Sequence, residues 1–135
     1  MSFKPKKLIY LANAYTSKKT DKDAKKLEEV QRRHLESFIG GKLKKLHPEI
    51  TIILPIAVSG SMADLCDFGT GFDTWKDDDF TFISKCDEVW VLVSDGWTES
   101  YGVQEEIQFA LKHEIPVKYV NKNTLDVTNV PYVTA

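Results

Sequence analysis

Five consecutive apolar residues, Val89-Trp90-Val91-Leu92-Val93, restrict the folds open to this chain. The run is too short to cross a membrane, and it has no polar residue to turn toward solvent. It reads as the core of a strand, Glu88–Val93, covered on both sides. Such strands belong to parallel sheets, because the crossovers that make neighbours parallel also lay helices over the faces.

Three more segments fit the same sheet. Leu8-Ile9-Tyr10-Leu11-Ala12 is a second buried run. Ile50-Thr51-Ile52-Ile53-Leu54 is rich in β-branched residues and is closed by Pro55. Pro116-Val117-Lys118-Tyr119-Val120 is the last. The intervals between them supply helices. Asn13–Thr20 is a polar loop, after which Thr20 or Asp21 caps a long helix whose first turn favours Asp21 and Asp23. Ala24, Leu27, Val30, Leu35, Phe38 and Ile39 follow helical spacing. Gly40-Gly41 mark a break or an end, with Leu43 and Leu46 carrying the stripe beyond. Ala57–Asp78 reads as a long irregular segment, the kind that is functional or mobile in a compact domain. Asp79–Lys85 is a short helix with Phe80 and Ile83 as its apolar contacts. A further helix runs from about Ser100 to His113, and the tail, 121–135, has room for a short strand or a subunit contact. The expected architecture is α/β: a three-layer, open parallel sheet of four to five strands with helices on both faces, flavodoxin-like or Rossmann-like. A chain of 135 residues suits a single domain over its whole length.

With 42% hydrophobic and 28% charged residues and a net charge of -2, nothing drives the chain as a whole toward nucleic acid or a membrane. Most Lys and Arg fall in the first fifty residues and read as a solvated helix face. Cys66 and Cys86 are too few and too distant for a zinc motif or a disulfide scaffold. They fit a reducing compartment, and with no leader or spanning segment visible the expected location is cytoplasmic. His34, His47 and His113 have no metal-ligand spacing, so neither a metal nor another cofactor is expected.

Function is concentrated in Ser94–Ala110, a loop of small and polar residues leading from the third strand into an amphipathic helix. Parallel sheets bind ligands at such junctions. Val103, Ile107, Ala110 and Leu111 form the stripe that packs on the sheet, and Glu106 lies beside it. A partly buried carboxylate there is catalytic, met by a structural partner, or set at the solvent rim. Gly96 after Asp95 reads as a turn, and Gly102 permits close approach of a ligand to the backbone. Ser100 caps the helix, whose first amides suit an anion such as phosphate. The chain has no Gly-x-Gly-x-x-Gly and no Walker pattern.

Three blocks, in order, resemble the nucleoside 2-deoxyribosyltransferase superfamily, with its deoxynucleoside-monophosphate N-glycosidases and a small uncharacterised branch. They are Leu8–Ala12 with its Tyr10, Asp79–Asp87 with its leading Asp, and Asp95–Glu106 with Ser100, Gly102 and Glu106 in the spacing of the catalytic loop. The resemblance implies one such domain over residues 1–135. It also implies cleavage or transfer at the N-glycosidic bond of a nucleoside or nucleoside 5′-monophosphate. Glu106 would be the nucleophile, Tyr10 would orient it, and Asp79 would contact the sugar or act as acid and base. Asp95 is a second candidate for the acid. Asn13, Ser17, Asp95, Gly96, Trp97, Ser100 and Gly102 are the expected substrate contacts. The transferases carry Asp where this chain has Ser100, a difference shared with the monophosphate hydrolases. That favours a phosphorylated substrate, with Ser17, Lys18 and Lys19 as additional phosphate contacts. Family members form homodimers or larger rings, for which Trp75, Trp97 and Tyr132 are interface candidates. The rival readings are a non-catalytic module that senses or sequesters a nucleotide, and a structural α/β subunit whose acidic loop meets a partner.

Overall fold

In the computed structural model, which describes residues 3–66, 68–69 and 71–131, five strands form one sheet. They are β1 (Lys7–Ala12), β2 (Ile50–Ile53), β3 (Glu88–Val93), β4 (Val117–Asn121) and β5 (Val127–Thr128), in the order β2-β1-β3-β4-β5. The first four are parallel, with Tyr10 beside Ile53 on one side and Val89 on the other. The tail supplies β5, which pairs antiparallel with β4 through Tyr119–Thr128 and Val120–Val127. Among the described residues, four α-helices and a short 3-10 turn (Trp97–Glu99) accompany the sheet: α1 (Lys22–Leu46), α2 (Pro55–Cys66), α3 (Phe72–Lys85) and α4 (Tyr101–Lys112). The fold is therefore the expected three-layer, Rossmann-like α/β architecture. None of the helices described is long and apolar enough to cross a membrane.

The two faces of the sheet carry separate cores. Ile9, Leu11, Trp90, Leu92 and Val120 pack with Ile39 and Leu43 of α1. Tyr10, Ala12, Val89 and Val91 pack with Ile83 of α3 and with Val103, Ile107 and Ala110 of α4. Alternation along each strand sends neighbours to opposite faces. From β1 the chain moves outward to β2 through α1; from β3 it moves the other way to β4 through α4. The loops after β1 and β3 therefore part at the carboxyl edge, leaving the crevice where this strand order binds its ligands.

Several local expectations need correction. Gly40-Gly41 neither break nor end α1, which continues to Leu46. Gly40 is a close-approach position: a Cβ there would lie 2.8 Å from Leu54 Cδ2, whereas a Cβ on Gly41 would meet nothing within 4 Å. Gly41→Ala is accordingly expected to stabilise the protein by about 0.5–1 kcal/mol, because alanine restricts the unfolded chain and suits a helix interior. A higher urea midpoint would show it, and a lower one would mean that space at Gly41 is needed.

The buried stripe of α1 is the expected one only in part: Ile39 and Leu43 are buried. Leu27 and Phe38 are 58% and 60% exposed, while Glu29 and Glu36 are buried. Asp21 is the cap, its Oδ2 accepting from the Ala24 amide at 2.9 Å. In α4, Val103, Ile107 and Ala110 are buried as expected, but Leu111 faces solvent.

Most of the segment expected to be irregular, 57–78, is helical. Pro55 closes β2 and also opens α2, since the first helical position needs no amide donor. Glu36 reaches from α1 to accept from the Ala57 amide at 2.9 Å and the Ile56 amide at 3.5 Å. This buried carboxylate meets the first donors of α2, where the helix end is positive. The helix expected at Asp79 begins earlier, at Phe72, so Asp79 lies in the helix interior and not at a cap.

Candidate active site at the carboxyl edge of the sheet

Tyr10, in the middle of the sheet, places its phenol under α3 and α4. Ser100 starts α4 by accepting the Val103 amide on Oγ at 3.3 Å, and Glu106 lies just beyond the first turn. Tyr10 is 0% exposed and Glu106 5%. The Tyr10 hydroxyl donates to Glu106 Oε2. Asp79, which α3 brings over from the other side, lines the same cavity, close enough for its charge to act on both Tyr10 and Glu106.

The electrostatics favour the protonated form of both carboxyls. Burial, with Asp78 nearby, raises the Asp79 carboxyl to about 7. Burial also pushes Glu106 well above the usual carboxylate range; Asp79 and Glu36 add to this, and the Tyr10 hydrogen bond opposes it. The Tyr10 hydroxyl favours the Glu106 anion, while the helix field, which fades beyond the first turn, adds little. Tyr10 is driven well above its ordinary value by burial and by the surrounding carboxylates, so it stays a donor. Glu36 is raised to about 8, chiefly by burial. Sequence reasoning missed Glu36 altogether. Its signal, a carboxylate on the buried face of α1, is visible only once that face is known.

Glu106, Tyr10 and Asp79 line a cavity of about 330 Å³. Phe72, Trp75 and Tyr101 supply aromatic surface, and Pro55 and Ile56 of α2 add apolar wall. Trp75, expected at a subunit contact, is instead buried, with its indole N–H donated to the Gly69 carbonyl at 2.7 Å. Tyr132, another of the interface candidates, lies outside the described residues.

The remaining expected contacts divide. Asn13, Ser100 and Gly102 line this cavity. Asn13 Oδ1 accepts from the Ser94 hydroxyl at 2.9 Å, which ties the loops after β1 and β3 together. At Gly102 a Cβ would lie 3.0 Å from Phe72, so glycine lets α3 and α4 close around the site. Gly96, at φ 81°, lies on a second, adjoining cavity. Ser17, Asp95 and Trp97 line neither cavity. Ser17 is buried and shapes its loop: its amide donates to Glu29 and its hydroxyl accepts from the Lys19 amide. Asp95 is fully exposed and pairs with Lys122 at 3.3 Å. Trp97 packs against Tyr119 over the core.

No curated protein matches the sequence. The model of one family, described as "Domain of unknown function (DUF1937)", matches residues 7–122, a span that takes in β1 to β4 and Tyr10, Asp79 and Glu106. On that match, the chain belongs to the DUF1937 family.

Proposed function

We propose that the protein breaks the N-glycosidic bond of a nucleoside or nucleoside 5′-monophosphate, passing the sugar to water or to another base through Glu106. The observation that carries this reading is the Glu106 carboxyl, buried at the wall of a ligand-sized cavity with the Tyr10 hydroxyl bonded to it and Asp79 on the same cavity wall. The resemblance of Leu8–Ala12, Asp79–Asp87 and Asp95–Glu106 to the nucleoside 2-deoxyribosyltransferases supports it from the side of sequence.

The chemistry asks for two groups. Glu106 in its ionised form attacks C1′ through Oε as the C1′–N bond breaks, and the bonding electron pair leaves on the base nitrogen. Asp79, protonated near neutral pH, gives its proton to that nitrogen or to a ring atom conjugated with it. Water then attacks C1′ of the glycosyl ester, returning a proton to Asp79 and releasing Glu106 as carboxylate. An acceptor base in place of water makes the reaction a transfer. Phe72, Trp75 and Tyr101 offer the flat apolar surface a nucleobase needs.

The test is a panel of the common deoxynucleosides and ribonucleosides with their 5′-monophosphates, followed for free base by chromatography, with and without a second base as acceptor. Release from at least one member is expected. Tight binding without release across the panel would instead favour a module that senses or sequesters nucleotides.

A further inference from the structure

The second cavity has about 420 Å³ and shares Thr16, Lys18, Glu99 and Ser100 with the first, so the two are continuous along one wall. Their chemistry differs. The first has a carboxylate foot and apolar sides. The second is bordered by Lys18, Lys19 and Arg32, with Glu28 and Glu99 as the carboxylates facing them.

Those carboxylates are already engaged. Glu28 binds Lys19 at 3.3 Å and Arg32 at 3.2 Å, and Glu99 Oε2 accepts from the Thr98 hydroxyl at 2.8 Å. A hydrogen bond from Ser17, together with Arg32 and Lys19, keeps Glu28 below the usual carboxylate range, so it holds the two cations in place as an anion. Arg32 Nη1 also donates to the carbonyls of Tyr15 at 3.1 Å and Thr16 at 2.9 Å, and Lys18 Nζ donates to the Glu99 carbonyl at 3.2 Å. The basic loop is thus fastened to α1 and to the loop after β3 in a set geometry. Preset cations lose little freedom on meeting an anion.

One backbone feature points the same way. At the join between the cavities, the ladder of α4 begins with the Gln104 amide on the Ser100 carbonyl, and Ser100 Oγ takes the Val103 amide. The ladder itself offers no acceptor to the amides of Tyr101 and Gly102, the arrangement by which helix starts receive phosphate oxygens. The cavity falls within the ~300–1,000 Å³ typical of whole small-molecule sites, so a single phosphate leaves much of it unfilled.

We infer that the second cavity binds a pyrophosphate group on the 5′ side of the substrate sugar, making the substrate a nucleoside 5′-polyphosphate or a pyrophosphate-linked dinucleotide. Placing the sugar in the first cavity rests on the glycosidic function proposed above; the anion site does not.

Calorimetric titration separates the two claims. Inorganic pyrophosphate is titrated into the wild-type protein. Each common nucleoside, its 5′-monophosphate, its 5′-diphosphate and a symmetric pyrophosphate-linked dinucleotide are titrated into Glu106→Gln, which leaves the glycosidic bond intact. Pyrophosphate is expected to bind unaided, and the diphosphate to bind at least tenfold tighter than the monophosphate. Lys19→Ala should bring that ratio down toward one. A dinucleotide that outbinds the diphosphate identifies the dinucleotide as the source of the group; the reverse order identifies the polyphosphate. Equal affinities for mono- and diphosphate, with no binding of pyrophosphate, would overturn the inference, and base release from monophosphates would then leave the glycosidic function standing. Pyrophosphate binding and the affinity ratio without base release from any nucleotide would uphold the anion site and overturn the glycosidic function.

Discussion

Glu106→Gln is expected to slow base release by about a thousandfold or more, because the amide neither attacks C1′ nor balances charge on the sugar. The substitution keeps the shape of the side chain and an acceptor for the Tyr10 hydroxyl. It also removes a carboxyl whose ionised form is disfavoured by burial and by Asp79. The variant should therefore unfold at the same temperature as the wild type or a higher one, while its activity disappears. That pairing distinguishes a catalytic carboxylate from a structural one, whose loss would lower stability first. Base release by Glu106→Gln within tenfold of the wild type would place the nucleophile elsewhere.

Glu36→Gln is expected to change how stability depends on pH. In the folded protein the Glu36 carboxyl is raised from 4.5 to about 8. A group with a raised folded pKa binds its proton more tightly when folded. Its contribution is present in full below the unfolded value and is lost as pH climbs through the folded one. Between those limits the wild type should lose up to about 1.4 kcal/mol per pH unit through this group, a few kcal/mol in all. The substituted amide does not titrate and still offers the Ala57 amide an oxygen. Urea unfolding near pH 5 and pH 9 should show the variant gaining on the wild type as the solution becomes alkaline. A difference that is the same at both values would show that Glu36 does not change its protonation.

How far the fold could be read from the chain follows from which residues are buried and why. Val89–Val93 and Leu8–Ala12 announced themselves because strands covered on both sides need apolar side chains at every position. Glu106 was legible because its place in α4 relative to Val103 and Ala110 follows from helical period alone. Helix α1 misled for the opposite reason. Its buried face includes Glu29 and Glu36, which are there to accept amides from the loop after β1 and from the start of α2. Hydropathy counts such side chains as outward-facing, so the stripe shifted onto Leu27 and Phe38. Helix α2 was hidden likewise, because the group that caps it comes from another helix. Trp75 and Phe72 joined the site only when α3 proved longer than its last turns suggested. Ser17 and Asp95 were right for their loops but face other partners, since spacing places a residue on a loop without fixing its direction.

Tyr10 and Glu106 stand 96 positions apart along the chain, and Asp79 arrives from a third element. No local stretch, and no hairpin or helix formed early, assembles the three. The candidate site is complete only when the middle strands have aligned and both covering helices have docked. Maturation of the polypeptide and assembly of this centre thus become a single event, and an unfinished or damaged copy lacks it.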